Sequence, residues 1–146
     1  MQVIHLNHIT LLVILLRQVY RLLLDVISKE VEVNIIDLVD NKNLFKNYYP
    51  DNPNNIVSII DGGGYPPNRY SPIREKTIEF KIRSQRYPDG VELGNKIFNL
   101  FHSKEKYSLG DFFITASYVS SELTYLYADS QNRKEFSLEL VFQYQY

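Results

Sequence analysis

Three consecutive glycines, Gly62-Gly63-Gly64, follow the apolar run Ile56 to Ile60, and this is the first place in the sequence where chemistry could reside. A phosphate loop of that kind ends in Gly-Lys-Ser/Thr and opens a helix whose first N–H groups face the anion. Tyr65-Pro66-Pro67 follows instead, so the triplet reads as backbone that needs positive φ or a close approach. His5 and His8 stand three residues apart near an expected helix start, which is half a metal site. No acidic or cysteine partner falls at a zinc-like spacing from them. His102 ends an expected helix, where a cation suits the dipole. Ser58, Ser84 and Ser117 lack the strand-turn-helix setting of a nucleophilic serine. The 17 Asp and Glu residues scatter along polar faces and do not converge as general acid-base catalysis requires. The expectation is therefore no catalytic residue, no metal ligand and no cofactor. Tyr65, Arg69, Tyr70 and Arg74 interleave aromatic rings with cations. Such residues stack on single-stranded nucleic acid or anchor protein interfaces. A formal net charge of −1 and the nearby Pro66 and Pro67 favour protein contact.

The elements that must position these residues are legible in the pattern of apolar side chains. The chain has 146 residues, 45% hydrophobic and 23% charged, which suits one domain spanning residues 1–146 with a genuine core. It has no cysteine, so disulfides and thiolate chemistry are excluded. From Leu6 to Ser28, Ile9, Leu12, Val13, Leu16, Val19, Tyr20, Leu23 and Ile27 fall at helical spacing, with Asn7 as the candidate N-cap. Arg17, Gln18, Arg21 and Asp25 interrupt the run short of the roughly 20 apolar residues a membrane span needs. No Lys or Arg precedes it and no small-residue cleavage site follows it, so a signal peptide is not expected. A helix covering a sheet is the expectation.

Val31 to Val39 alternates as a strand, and Asp40 to Asn55 has the composition of a loop. Leu44, Phe45, Tyr48 and Tyr49 within that loop imply that it packs on something. Ile56 to Ile60 reads as a strand. In the next one, Ile78, Phe80 and Ile82 alternate with Thr77, Glu79, Lys81 and Arg83. Tyr87 to Ser103 reads as a second helix with an apolar stripe through Leu93, Ile97, Leu100 and Phe101, flanked by Phe98. Asp89 lies in its first turn, and Gly94 implies close approach to the sheet. Lys104 to Gly110 reads as a turn. Strands are expected over Asp111 to Ser120, Glu122 to Ala128 and Arg133 to Tyr146, with Asp129 to Asn132 as a turn. The sum is an α+β domain: a mostly antiparallel sheet with two helices packed on it.

The connection from Asp61 to Arg74 is far longer than joining two strands requires, and long ordered loops are usually functional. Pro66, Pro67 and Pro72 restrict its unfolded freedom, which lowers the entropy lost on docking. Tyr65, Pro66, Pro67, Asn68, Arg69, Tyr70 and Arg74 are the expected interface residues, Arg69 because its planar fork holds two acceptors at once. The competing expectation is a loop that folds back so that Tyr65 plugs the core.

The run Asp61-Gly62-Gly63-Gly64-Tyr65-Pro66-Pro67-Asn68-Arg69-Tyr70, followed by an alternating strand and a helix, resembles the tail terminator proteins of long-tailed bacteriophages, many of them catalogued as phage minor capsid proteins. The resemblance covers about Tyr49 to His102 and continues more weakly through Tyr125 to Tyr144. It departs from the family pattern at Gly62, where Thr or Ser is usual. The resemblance implies a structural virion protein at the head-tail junction, present in host cytoplasm during assembly, and no enzyme. It implies a homo-oligomeric ring, six subunits in the usual case, that caps the tail tube, ends tube polymerisation and joins the tail to the head connector. Tail tube protein and a head-completion protein would be partners. Genomic DNA would pass through the lumen without specific binding, and no membrane would be involved. A head-closure or neck adaptor is the nearest alternative. A small nucleic-acid-binding protein is the alternative of another class, and salt-dependent retention on DNA separates it from the others.

Overall fold

The computed structural model describes residues 22–67 and 69–145. Among them the order is α1 (Leu23–Asn34), β1 (Leu44–Lys46), β2 (Ile56–Asp61), β3 (Arg74–Ser84), α2 (Tyr87–Phe101), β4 (Lys104–Leu109), β5 (Phe112–Ala128) and β6 (Lys134–Gln145). The strands form one sheet in the order β1-β2-β3-β6-β5-β4. Every neighbouring pair is antiparallel except β1 with β2. The α+β architecture expected from the sequence is present.

The central pair, β3 and β6, carries the alternation that makes the fold. Ile78 faces Leu140, Phe80 faces Leu138 and Ile82 faces Phe136 across the ladder, and all six are buried. Each such side chain contributes about 1.5–3 kcal/mol by leaving water. Both helices join this core. α1 turns Leu23, Leu24, Ile27 and Val31 inward, and Lys46 Nζ bonds Asp25 at 2.8 Å to hold β1 against it. α2 begins with a proline in its first turn and Asp89 beside the positive end of the dipole. It buries Ile97 and Phe101, with Leu93, Phe98 and Leu100 at the edge of the core. Gly94 lies as close to the sheet as expected: a Cβ there would meet the methyl groups of Leu123 at 2.6–2.7 Å. Gly90, one turn earlier, lies against the buried ring of Phe136.

Four local expectations are corrected. Val31 to Val39 is not a strand: α1 runs on to Asn34, and residues 35–39 are irregular. Val31 is fully buried but Val33 is 65% exposed, so the alternating valines do not share a face, whereas Ile27, Val31 and Ile35 do at helical spacing. Lys104 to Gly110 is not a turn: residues 104–109 form edge strand β4. Its Lys104, Glu105 and Lys106 are the charged residues that guard a sheet edge, which hides the apolar period. The strands expected at 111–120 and 122–128 are one strand, β5, whose register with β6 shifts at four places. Each shift reverses the in-out parity, so the sequence looks broken where the backbone is continuous. Within the expected loop 40–55, Leu44 and Phe45 are buried in β1, while Tyr48 is exposed. The N-terminal part of the first expected helix, including Asn7, Leu16, His5 and His8, lies outside the described residues.

The sheet face away from the helices is crossed by residues 47–55, held by polar bonds. Buried Arg83 donates to the carbonyls of Pro53 (2.7 Å) and Asn54 (3.1 Å). Buried Arg133 donates to Asp129 (2.8 Å) and to the carboxylate of Asp51 (2.7 Å). The Tyr49 hydroxyl donates to buried Glu135 at 2.8 Å, and burial followed by that bond pushes its pKa up.

Candidate functional site

Residues 61–74 leave β2 at the end of the sheet where Asp61 pairs with Ile78. The loop has a braced base. Gly62 N–H donates to the Thr77 carbonyl and Thr77 N–H to the Gly63 carbonyl, both at 2.8 Å, so the ladder extends past β2. Gly63 takes φ +78°, open to glycine without strain. At Gly64 the backbone passes so close to the Glu75 carbonyl that any Cβ would overlap it. The glycine triplet therefore serves close backbone approach, as its composition implied.

Asp61 accepts from the Gly63 N–H at 2.8 Å and from Lys76 Nζ at 2.7 Å. Burial raises its pKa, but the Lys76 bond, the Gly63 N–H and the Lys76 charge together outweigh that and hold the carboxyl below its ordinary value. Asp61 opens the connection the sequence marked out, but its pairing with Lys76 was not expected. The only signal of that pairing was a lysine on β3 opposite the loop's first acid.

Beyond this base most of the described side chains are exposed. Tyr65 is 79% exposed and Tyr70 87%. The core-plug expectation for Tyr65 is thereby overturned. Pro66, Pro67, Arg69 and Arg74 are also exposed. The Arg69 guanidinium lies 5.5 Å from the centre of the Tyr70 ring, a cation-π distance. Asn68 lies outside the described residues. The pKa of the Tyr118 phenol is raised by desolvation, then by the charge and hydrogen bond of Glu75, and last by the Tyr65 phenol. Behind the loop's return a cavity of about 550 Å³ opens between Asp61, Pro72, Arg74 and Lys76 on one side and Leu22 to Leu24, Phe112 and Tyr144 on the other.

The residues weighed for chemistry have other partners. Ser58, Ser84 and Ser117 donate to the carbonyls of Tyr48, Arg86 and Phe101 at 2.5, 2.7 and 2.7 Å. His102 does follow the last residue of α2, as its C-cap. Its Nδ1 accepts the Val119 N–H at 3.0 Å and its ring packs on Phe98, tying α2 to β5. Tyr107, hydrogen-bonded to Ser117, has its pKa pushed up to about 12 by burial. Among the described residues no group of His, Cys, Asp and Glu is placed to hold a metal ion, and no helix is long and apolar enough to cross a membrane.

Comparison with known proteins gives this geometry a setting. Among curated proteins none matches the sequence. A chain of the solved structure described as "Virion of native gene transfer agent (GTA) particle" shares the fold, with a TM-score of 0.62, 8% identity, and coverage of 88% of this chain and 98% of that one. A family model described as "Bacteriophage tail terminator protein" matches residues 32–146. That match takes in the whole of the braced loop, the sheet and α2, so the chain belongs to the bacteriophage tail terminator family, a family of structural phage tail proteins and not of enzymes.

Proposed function

We propose that the protein closes into a ring on the end of the phage tail tube, stops tube growth there and presents a joining surface to the head connector. Six copies make the ring, and in the virion it sits at the head-tail junction with DNA passing through its lumen. The mechanism is binding without covalent chemistry. The observation that carries this reading is the loop 61–74: a rigid, ladder-bonded base bearing two tyrosines that are 79% and 87% exposed, with prolines between them. An exposed aromatic and arginine cluster on a stiff support loses little entropy on docking. Membership of a tail terminator family supports docking between identical subunits, because closed head-to-tail symmetry lets identical subunits end a polymer.

Negative-stain imaging of the purified protein with and without tail tubes tests this. Rings in solution or caps on tube ends are expected. Arg69→Ala and Tyr70→Ala should abolish ring or cap formation while leaving thermal melting unchanged, because both side chains stand in solvent within the monomer. A protein that stays monomeric and leaves tube ends bare refutes the reading.

A further inference from the structure

A second aromatic surface lies at the opposite end of the strands. β4 reaches along β5 only to Ser117, so residues 120–128 of β5 have β6 as their one strand neighbour among the described residues. Helix α2 lies beside this open edge, and a groove of about 360 Å³ runs between them. Its floor is an aromatic cluster: the rings of Tyr87, Tyr125 and Phe136 lie 5.3–5.6 Å apart, edge-on or tilted. Tyr87 is 48% and Tyr125 43% exposed, so the cluster is a surface and not a closed core. Val91 and Leu123 extend it, and Asn95 and Glu122 supply polar groups at its side. No ion pair to the Glu122 carboxylate exists among the described residues.

Grooves floored by aromatic rings with a few polar groups at the rim are how proteins hold proline-rich segments, which are already extended and so lose little entropy on binding. This chain exposes such a segment itself: Tyr65-Pro66-Pro67, with Arg69 two residues further on. We propose that the groove between α2 and β5 is the receptor for the Tyr65-Pro66-Pro67 segment of a neighbouring copy, with Arg69 of that copy paired to Glu122. This rests on the ring-forming reading above and names the two surfaces that make the ring.

Three features commit the groove to this occupant. The loop from residue 62 to 74 carries Arg69 and Arg74 and no acid, which complements the unpaired Glu122. Pro66 and Pro67 have no N–H to add to the open β5 edge, so contact through side chains in the groove suits them better than strand addition. The loop leaves the sheet at the Asp61 end of β2, whereas Tyr125 pairs with Phe136 toward the other end, two strands beyond β3. A chain cannot fill its own groove from there without unfolding the braced base, and two different surfaces at opposite ends give the head-to-tail contact that closes rings.

The absence of cysteine makes the test direct. Pro66→Cys and Asn95→Cys change exposed positions. The double variant, assembled on tail tubes and treated with a short bismaleimide, should give a ladder of covalent multimers. Each single variant should give none, nor should Pro66→Cys paired with Lys29→Cys on the far side of α1. In parallel, Arg69→Glu and Glu122→Arg should each abolish assembly, and the two together should restore it. Caps that form normally but yield no ladder overturn this contact and leave the terminator reading standing. Wild-type protein that never assembles, with or without tubes, overturns that reading and the contact with it.

Discussion

Arg133 shows how one residue supports a distant surface. Its side chain is 5% exposed and its guanidinium holds Asp129 in the β5–β6 turn and Asp51 in the crossing segment. Arg133→Ala is expected to cost more than the ~0–1 kcal/mol of an exposed ion pair, because Asp129 is left partly buried without its cation. Urea denaturation measures this, and a loss no larger than an exposed pair's would show that the segment 47–55 is held by other contacts. The same carboxylates set a pH dependence. The Arg133 hydrogen bond and then its charge lower Asp51. For Asp129, burial acts upward but the bonds from Arg133 and the Gln131 N–H prevail, so it too is lowered, as is Asp61 at the loop base. An acid whose folded pKa lies below its unfolded value, about 3.9 for Asp, adds stability above that value. The gain disappears as pH falls through the lower, folded value. The melting temperature should therefore hold from neutral pH down to about 5 and fall below about 4, with a shallower fall in Arg133→Ala. An equal fall in both proteins would remove Arg133 as the cause.

At the scale of elements, α2 offers a pair of substitutions with opposite outcomes. Replacing a helix-interior glycine by alanine gains up to about 1 kcal/mol in propensity. At Gly94 the new methyl meets the δ-methyls and Cγ of Leu123, the end of a half-buried side chain that is able to move, so Gly94→Ala should be neutral or mildly stabilising. At Gly90 it overlaps the ring of Phe136, which is 1% exposed and packed between Tyr87 and Tyr125. Gly90→Ala should lower the melting temperature in spite of the propensity gain, and equal stability of the two variants would contradict the packing described. α1 gives a second expectation. Leu23, 4% exposed, is part of the core cluster, so Leu23→Ala should cost ~2–5 kcal/mol. An unchanged midpoint would place α1 outside the cooperative core.

At the scale of the whole molecule, charge decides what a ring can do with DNA. Sixteen Lys and Arg against 17 Asp and Glu leave the chain near neutral, and Arg83 and Arg133 are buried against protein groups. Each cation paired to phosphate adds salt-sensitive attraction. A ring through which DNA must move should lack it. The assembled protein is expected to elute from immobilised duplex DNA at low salt with little dependence on salt concentration. Retention that falls steeply with added salt would favour the nucleic-acid-binding alternative.

The sequence by itself determined the elements whose one face is buried and the other wet. β3 and β6 write a period of two and α2 a period near 3.6, because the core selects apolar residues at those intervals alone. It also determined that residues 61–74 stand apart, since glycine and proline act on the backbone locally. Tertiary structure decided the rest. β4 is a strand because β5 supplies its hydrogen bonds, while its mostly exposed, charged residues carry no apolar period. β5 is continuous because β6 pairs along it through four register shifts that scramble its parity. Residues 31–34 complete a helix because Val31 meets the core and Val33 does not, a choice that local alternation leaves open. The groove of Tyr87 and Tyr125 exists only once α2 is laid beside the open edge of β5, since its two walls are remote in sequence and neither wall alone makes a site.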